Sequence, residues 1–400
     1  MKNFKYRAMK NDGTKIEGKF EGSSRDDVIN MITSSGYYPL MVEEVIESKQ
    51  IEFKLFERVT TKDLAIFCRQ FYTMLDAGVT ITNCLNILSN EIPNKKLREL
   101  LSTIEEDVKK GELLSESMAK HKKYFPQLLI SMVESGEVSG NIDEMMLRMS
   151  VHFEKENKIN NKVKSAMTYP SILSIVAVVA VVFIMTFVMP TFIEMFEGEG
   201  IDLPLITKVM LGTSKFLSNN LILILIAVAI IVILFNIYKK SPNGIVNISK
   251  LKLKLPIIGA LNKKIIVSRF TRTLSTLLAS GVSLVHALPT VAGVLENKVA
   301  EDAILKVRER VVRGDGLSGP IRENDIFPKM LSSMIKIGEE SGSLDDILNK
   351  TADFYDDEVE QAIQTATSMI EPLLIVIMGV VIGGIVISIM LPMFDMYTQM

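Results

Sequence analysis

One apolar segment limits what this chain can fold into more than any other feature. Residues 168–193 (TYPSILSIVAVVAVVFIMTFVMPTFI) contain no Asp, Glu, Lys or Arg. About 20 apolar residues in a helix cross the roughly 30 Å hydrocarbon core of a bilayer. Buried helices of soluble domains are usually shorter and are rarely free of charge on every face. The segment therefore predicts a membrane-spanning helix.

Two further charge-free segments, 216–238 and 372–394, predict a second and a third span. The segment 194–215 between the first two spans carries four acidic residues and two lysines. In contrast, seven lysines lie between Lys239 and Lys264 with no acidic residue among them. Because positive charge near span ends marks the cytoplasmic side, we expect 194–215 to lie outside. Alternation of the spans then places the C-terminus outside as well.

The overall composition fits soluble domains joined by membrane spans. The chain has 400 residues, of which 48% are hydrophobic and 23% are charged. A net charge of −2 argues against bulk electrostatic binding of nucleic acid, which needs a basic surface. Cys68 and Cys84 lie in apolar helical patterns, so we interpret them as reduced core residues. The N-terminus lacks the apolar region of a signal peptide, which predicts a cytoplasmic N-terminal domain.

Residues 1–45 have the pattern of a small α/β domain. Phe4, Tyr6 and Ala8 alternate with polar residues, and a second alternating stretch follows the turn-forming triplet at 11–13. Ser24 is a helix N-cap residue, and the stretch 37–45 after the helix predicts a third strand.

From Thr60 onward, apolar residues recur at three- and four-residue spacing, which is typical of helices. Gly78, Pro93, Gly111 and Pro126 divide the stretch into about six helices. An all-α bundle follows from this pattern. Its sixth helix, which starts near Ile142, leads directly into the first span.

The chain also contains an internal repeat. FCRQFYTMLDAGVTITNCL at Phe67 resembles FTRTLSTLLASGVSLVHAL at Phe270, and MVESGEVSGNIDEM at Met132 resembles MIKIGEESGSLDDI at Met334. The two copies are separated by 202 or 203 residues throughout. Each copy therefore predicts a six-helix bundle followed by one span.

These patterns predict a mostly α protein with two duplicated six-helix cytoplasmic bundles, three transmembrane helices and a small α/β N-terminal domain. The predicted segments are the α/β domain 1–45, a linker 46–59, the first bundle 60–165, span 168–193, an extracytoplasmic loop 194–215, span 216–238, a basic cytoplasmic linker 239–262, the second bundle 263–370, span 372–394 and an extracytoplasmic tail 395–400.

Motifs for catalysis are not found in the sequence. The run from Gly314 to Pro320 has proline where a phosphate-binding loop needs lysine. The three histidines are isolated, and no Gly-x-Ser-x-Gly elbow is found. The spans lack ionisable residues, which argues against an ion or proton pathway. We therefore predict no enzymatic activity and no cofactor.

A Gly-Glu-x-Ser-Gly run occupies the same place in both copies. It comprises Gly136, Glu137, Ser139 and Gly140 in the first copy and Gly338, Glu339, Ser341 and Gly342 in the second. The simpler interpretation is a corner between two helices, with glycine ending the first helix. The alternatives are a partner-binding corner and a cation site, in which Glu137 would act with Asp143, or Glu339 with Asp345.

Several motifs together resemble the PilC/GspF family, the inner-membrane platform proteins of type IV pilus and type II secretion machines. The motif residues are Phe67, Arg69, Gly78, Pro170 and their counterparts Phe270, Arg272, Gly281, Pro372, together with Glu371 and the two Gly-Glu-x-Ser-Gly runs. The resemblance covers essentially the whole chain.

This resemblance implies a non-enzymatic scaffold in a bacterial cytoplasmic membrane. It implies a cytoplasmic assembly ATPase, pilin or pseudopilin subunits, other inner-membrane assembly proteins and membrane lipid as partners, and a homo-oligomer without direct binding of nucleic acid. Glu371 then becomes a candidate contact for pilin, although an acid at the start of a helix is also favourable by itself. A pseudopilus platform and a duplicated small-solute transporter remain as alternatives, the latter with too few spans for a usual transporter repeat.

Overall fold

The computed structural model describes residues 2–10, 13–22, 24–44, 58–198 and 204–399. It divides the chain into two compact units, Met1–Glu57 and Arg58–Met400. The predicted turn residues Asn11 and Asp12 and most of the linker 46–59 lie outside the described residues.

The first unit is a three-stranded antiparallel sheet with one helix. Its elements are β1 Lys2–Met9, β2 Lys15–Gly22, α1 Arg25–Ser34 and β3 Tyr38–Glu44, and the strand order is β2-β1-β3. Ser24 and Asp27 form a reciprocal capping box that starts α1. Phe4, Ala8, Val28, Ile32 and Val42 form the buried core. The prediction of a small α/β N-terminal domain is confirmed.

The second unit contains sixteen helices among its described residues and one π-helical segment. In chain order they are α2 Thr61–Asp76, α3 Ile81–Glu91, α4 Lys95–Lys109, α5 Leu114–Ala119, α6 Gln127–Ser139, α7 Ile142–Phe183, the π-segment Ile184–Val188, α8 Met189–Gly198, α9 Leu205–Asn219, α10 Leu221–Lys240, α11 Pro242–Lys254, α12 Ile258–Ala279, α13 Leu284–Val294, α14 Lys298–Val312, α15 Ser318–Arg322, α16 Lys329–Ser341 and α17 Leu344–Gln399.

The duplication is visible in this order of helices. Helices α2–α7 form the first repeat and α12–α17 form the second, and the four helices between the first and the last have similar lengths in both repeats. In each repeat the first helix packs along the sixth. The predicted six helices per bundle are confirmed. However, the two bundles share one continuous core, so they form one compact unit rather than two independent ones.

Three helices are long and apolar enough to cross a membrane, and they lie within Ile142–Phe192, Leu221–Lys240 and Leu344–Phe394. No residue of α10 is buried within the protein, as expected for a helix that faces lipid. Helices α7 and α17 continue from the bundles into the apolar segments without interruption. The first and third spans are therefore direct extensions of bundle helices, whereas the second, α10, is a separate helix.

The helix boundaries differ from four of the predicted segments. The helix within the second predicted span starts at Leu221 rather than 216, because Asn220 interrupts the helix and Phe216–Asn219 belong to α9. Much of the predicted loop 194–215 is helical, in α8 and α9. The predicted linker 239–262 contains α11, whose Ser241 side chain accepts a hydrogen bond from the Gly244 amide and whose first residue is Pro242. The predicted tail 395–400 continues α17 to Gln399.

Candidate functional site

The repeated phenylalanines are core residues. Phe67 is fully buried, and its ring centroid lies 5.5 Å from Phe71 and 6.3 Å from Phe125. In the second repeat, Phe270 and Phe327 lie 5.5 Å apart. Tilted aromatic pairs at these distances stabilise a core beyond the area they bury. These residues hold the first helix of each repeat and are not available to a partner.

The repeated arginines join the first helix of each repeat to the sixth helix. Arg69 donates from Nε and Nη2 to the two carboxylate oxygens of Glu154 at 3.0 and 2.9 Å, and this pair is exposed to solvent. The counterpart Arg272 is only 8% exposed. The same motif therefore stands at the surface in the first repeat and in a buried contact in the second.

Arg272 lies in a polar cluster with acceptors from α17. It donates to Asp353 at 2.8 Å, to Asp356 at 2.6 Å and to Asn349 at 3.1 Å. Asp356 also accepts a hydrogen bond of 2.5 Å from Ser268. Sequence reasoning missed all of these acceptors. A signal was present, because Asp356 is the repeat equivalent of Glu154.

The first repeat contributes His152 and Glu156 to the same contact. Burial, together with the nearby charges of Arg272 and Arg269, lowers the pKa of His152 to about 4. Burial raises the pKa of Glu156, while Arg269 acts in the opposite direction from 3.6 Å. Nδ1 of His152, Nε of Arg272 and Oγ1 of Thr273 have no hydrogen-bond partner among the described residues. These three residues line a cavity of about 20 Å³, which is large enough for one water molecule.

Helices α7 and α17 run side by side in the same direction. Lys155 pairs with Asp353 at 2.5 Å, and Lys162 pairs with Glu360 one heptad further along both helices. Because the partners follow the same order on both helices, the two helices are parallel. A cleft of about 290 Å³ lies between these pairs, with Lys158 and Asp357 also in its wall. The two attached spans therefore leave the bundles in the same direction.

The Gly-Glu-x-Ser-Gly corners are built alike in both repeats. The carboxylate of Glu137 accepts hydrogen bonds from the amides of Leu114 at 2.6 Å and Ser115 at 3.2 Å. Glu339 accepts equivalent bonds from the amides of Leu317 and Ser318. Each glutamate thus satisfies the free amides at the start of a short helix.

The glycines of the corners have two separate roles. A Cβ added to Gly136 would lie 2.9 Å from Cα of Ile142, and one added to Gly338 would lie 2.9 Å from Cα of Leu344. Gly140 and Gly342 end their helices with φ values of +78° and +69°. The first glycine allows close helix packing and the second reverses the chain.

The remaining predicted residues take structural or exposed positions. Gly78 and Gly281 have positive φ and end the first helix of each repeat. Ser139 and Ser341 are exposed at the corners, Pro170 is buried within α7, and Pro372 and Glu371 are exposed on α17.

The cation hypothesis gains no support from the geometry. Asp143 and Asp345 lie in the first turns of α7 and α17, where acids are favourable, while Glu137 and Glu339 are engaged by amides. Within the described ranges, no group of three or more His, Cys, Asp or Glu side chains is arranged to hold a metal ion.

Helix α9, most of which lies in the predicted loop 194–215, contacts both the first and the third span. Thr207 donates a hydrogen bond of 2.8 Å to the carbonyl of Ser388, and Ser214 donates one of 2.5 Å to the carbonyl of Met185. Both hydroxyl side chains are buried. Met185 lies in the π-helical segment. The spans are therefore joined by polar contacts at the end opposite to the bundles.

Comparisons with known proteins agree with this architecture. The family model described as type II secretion system (T2SS), protein F matches residues 67–190 and again residues 270–392. The model for the N-terminal domain of type II secretion system protein F matches residues 1–43. The duplicated match coincides with the two repeats of the structure.

Curated relatives match over almost their full length. The type IV pilus assembly protein PilC of Thermus thermophilus is 38% identical over 98% of this chain and 97% of its own. The type IV pilus assembly protein PilC of Myxococcus xanthus is 35% identical over 98% of this chain and 94% of its own length. The type II secretion system protein F of Aeromonas hydrophila is 33% identical over 94% of this chain and 98% of its own length. With its repeated helical unit and its N-terminal domain both matched, the chain belongs to the PilC/GspF family, the family of type II secretion system protein F.

Proposed function

We propose that this protein is the non-enzymatic inner-membrane platform of a type IV pilus assembly machine, which couples a cytoplasmic assembly ATPase to the insertion of pilin. The relatives named for pilus assembly reach 38% and 35% identity over 98% of the chain. Those named for type II secretion reach 33% and 28%. The pilus is therefore favoured over a secretion or competence pseudopilus.

The observation that carries the coupling proposal is the continuity between bundle and span. Helix α7 has 42 residues, which corresponds to roughly 60 Å at 1.5 Å per residue. Helix α17 is longer still, with 56 residues. The two are parallel and joined by ion pairs, so a displacement of the bundles would move both spans together. This rigid connection between bundles and spans would transmit a movement that an ATPase causes in the bundles to pilin subunits that contact the spans.

The proposed topology places both bundles and the N-terminal domain in the cytoplasm. The parallel course of α7 and α17 supports this arrangement, because it requires both bundles to lie on one side of the membrane. The lysine-rich segment after α10 supports the cytoplasmic side. The C-terminus would then be extracytoplasmic.

The proposed partners are the assembly ATPase, pilin subunits, other inner-membrane assembly proteins and further copies of this chain, but not nucleic acid. Glu371 is exposed one residue before Pro372, and it remains a candidate for contact with the charged end of pilin. No observation favours the transporter alternative, because the described parts of the spans show no ionisable residue in a buried position.

The test is a deletion strain complemented with the tagged full-length protein, followed by purification from crosslinked membranes. We expect the strain to lose pili and to regain them on complementation, with the ATPase and pilin recovered together with the protein. Normal piliation of the deletion strain with loss of protein secretion would instead assign the chain to a secretion system. Normal piliation, normal secretion and recovery of neither partner would contradict the platform proposal.

A further inference from the structure

A pocket of about 290 Å³ lies between α7, α11 and α12. One part of its wall is apolar and includes Val163, Met167 and Ile265. Another part is polar and includes Lys164 and Lys252. A pocket of this size with one apolar and one cationic side fits an amphipathic anion.

The cationic side of the pocket is not neutralised. Arg269 also lines the pocket, but it pairs with Glu296 at 2.7 Å. Lys164 and Lys252 are exposed and form no ion pair within the described part of the chain. Moreover, the sequence has no acidic residue between Asp202 and Glu296. The pocket therefore carries two positive charges, on Lys164 and Lys252, that are not paired with an acidic side chain.

The pocket lies next to the start of the first span, at the level where lipid headgroups are expected. Lys164 is the last charged residue before the first span, and Met167 is exposed three residues further toward the membrane. Helix α11 follows the second span directly, because α10 ends at Lys240 and α11 begins at Pro242. The first span leaves the bundles and the second returns to them, so both of these ends belong to the same membrane face.

Helix α11 is fixed against the second bundle on one side and open on the other. The Ser249 hydroxyl accepts a hydrogen bond of 3.1 Å from the Lys298 amide, and its carbonyl accepts one of 3.2 Å from Asn297. Leu251, Lys250 and Lys254 are exposed. Exposed leucine and lysine on one juxtamembrane helix are typical of a segment that lies on an anionic lipid surface.

We propose that this pocket binds the headgroup of an anionic phospholipid. Lys164 and Lys252 hold the phosphate, because lysine binds phosphate as a compact point charge. An acyl chain follows Met167 onto the exposed apolar surface of the first span. The apolar wall and the adjoining span favour a lipid over free phosphate. This inference requires only that the chain spans a membrane and is independent of the machine in which it works.

The experiment uses the full-length protein in neutral detergent, titrated with phosphatidylglycerol or phosphatidylcholine and followed by native mass spectrometry. The double variant Lys164→Gln/Lys252→Gln is compared with Lys306→Gln/Lys329→Gln, which removes two exposed lysines of the second bundle. Each basic side chain near an anionic headgroup contributes about 1 kcal/mol. We therefore expect the pocket variant to bind phosphatidylglycerol roughly 10- to 30-fold more weakly, while the control variant binds as the wild type.

Three further arms separate the possible outcomes. Lys164→Arg/Lys252→Arg should retain binding, because the charge is kept. Phosphatidylcholine should bind no more tightly to the wild type than to the pocket variant. Inorganic phosphate should not displace phosphatidylglycerol at the same concentration. Equal affinity of the pocket and control variants for phosphatidylglycerol, or displacement by equimolar inorganic phosphate, would overturn the proposal.

Discussion

The guanidinium of Arg272 donates a hydrogen bond of 2.6 Å to Asp356 inside the contact between the repeats. The equivalent pair in the first repeat, Arg69 with Glu154, is exposed to water. The same arginine–carboxylate pair thus lies in a buried environment in the second repeat and in an exposed one in the first. Truncation of a buried ion pair leaves a charge without its partner, whereas an exposed pair contributes little.

Arg272→Ala is therefore expected to destabilise the protein much more than Arg69→Ala. We expect a loss of about 1.5–3 kcal/mol for the buried arginine, whose acceptors Asp353 and Asp356 are partly exposed, and less than about 1 kcal/mol for the exposed one. Thermal or urea unfolding of the purified proteins in detergent measures both. Equal losses in the two variants would show that the burial of Arg272 has no energetic consequence.

Gly136→Ala and Gly338→Ala are expected to destabilise the corners by about 1–3 kcal/mol, because the new methyl group would meet backbone atoms. Each added Cβ lies 2.9 Å from a Cα of the next helix. Gly293→Ala is the matched control, since a Cβ there meets nothing within 4 Å and the residue lies within helix α13. The control should be neutral or more stable by up to about 1 kcal/mol. Unfolding curves for the three variants measure these changes in stability. An unchanged stability of Gly136→Ala would contradict the packing argument.

Glu137→Ala is expected to cost about 1–3 kcal/mol, because the amides of Leu114 and Ser115 lose their acceptor. Glu134→Ala, one turn earlier on α6 at an exposed position, is the control and should change little. EDTA and added Ca²⁺ should leave the melting temperature of the wild type unchanged if Glu137 only caps a helix. A melting temperature that rises with Ca²⁺ in the wild type but not in Glu137→Ala would instead support the cation hypothesis.

His152 is expected to make stability depend on pH between about 6.5 and 4. Its pKa is lowered from 6.5 to about 4 in the folded protein. Between these values the unfolded chain binds a proton that the folded chain does not, so stability falls as the pH falls. The loss reaches up to about 3 kcal/mol. Glu156 opposes part of this loss, because its raised pKa lets the folded state take up a proton first.

The measurement compares the pH dependence of unfolding for the wild type, His152→Gln and His286→Gln. His286 is exposed and serves as the control. The slope between pH 6.5 and 4 should decrease in His152→Gln and remain in His286→Gln. An unchanged slope in His152→Gln would assign the pH dependence to other groups.

Lys162→Glu is expected to weaken piliation under the platform proposal, because the reversed charge faces Glu360 and weakens the link between α7 and α17. The effect on stability should stay below about 1 kcal/mol, since the pair is partly exposed. The swapped variant Lys162→Glu/Glu360→Lys should restore piliation, and Lys306→Glu should leave it normal. Pilus counts at matched protein levels provide the readout. Normal piliation in Lys162→Glu would contradict the proposal that α7 and α17 must be linked for the bundles to move both spans.

Much of the architecture could be predicted from local patterns. The spans follow from runs of apolar residues, and the six helices of each repeat follow from three- and four-residue spacing. The boundary at Asn220 was missed because hydropathy does not register a polar break when apolar residues flank it on both sides. Helix α9 was missed because the segment 194–215, taken as a whole, is short and carries mixed charges, as many loops do.

The sequence by itself determined that the chain is duplicated, helical and membrane-spanning, since periodicity and hydropathy are properties of neighbouring residues. Tertiary structure alone decided that the two repeats share one core and that Arg272 is buried while Arg69 is not. It also decided that Glu137 caps a helix that begins 23 residues earlier. These outcomes depend on which helices pack together. Identical motifs acquire different environments because burial is a property of the packed protein and not of the local sequence.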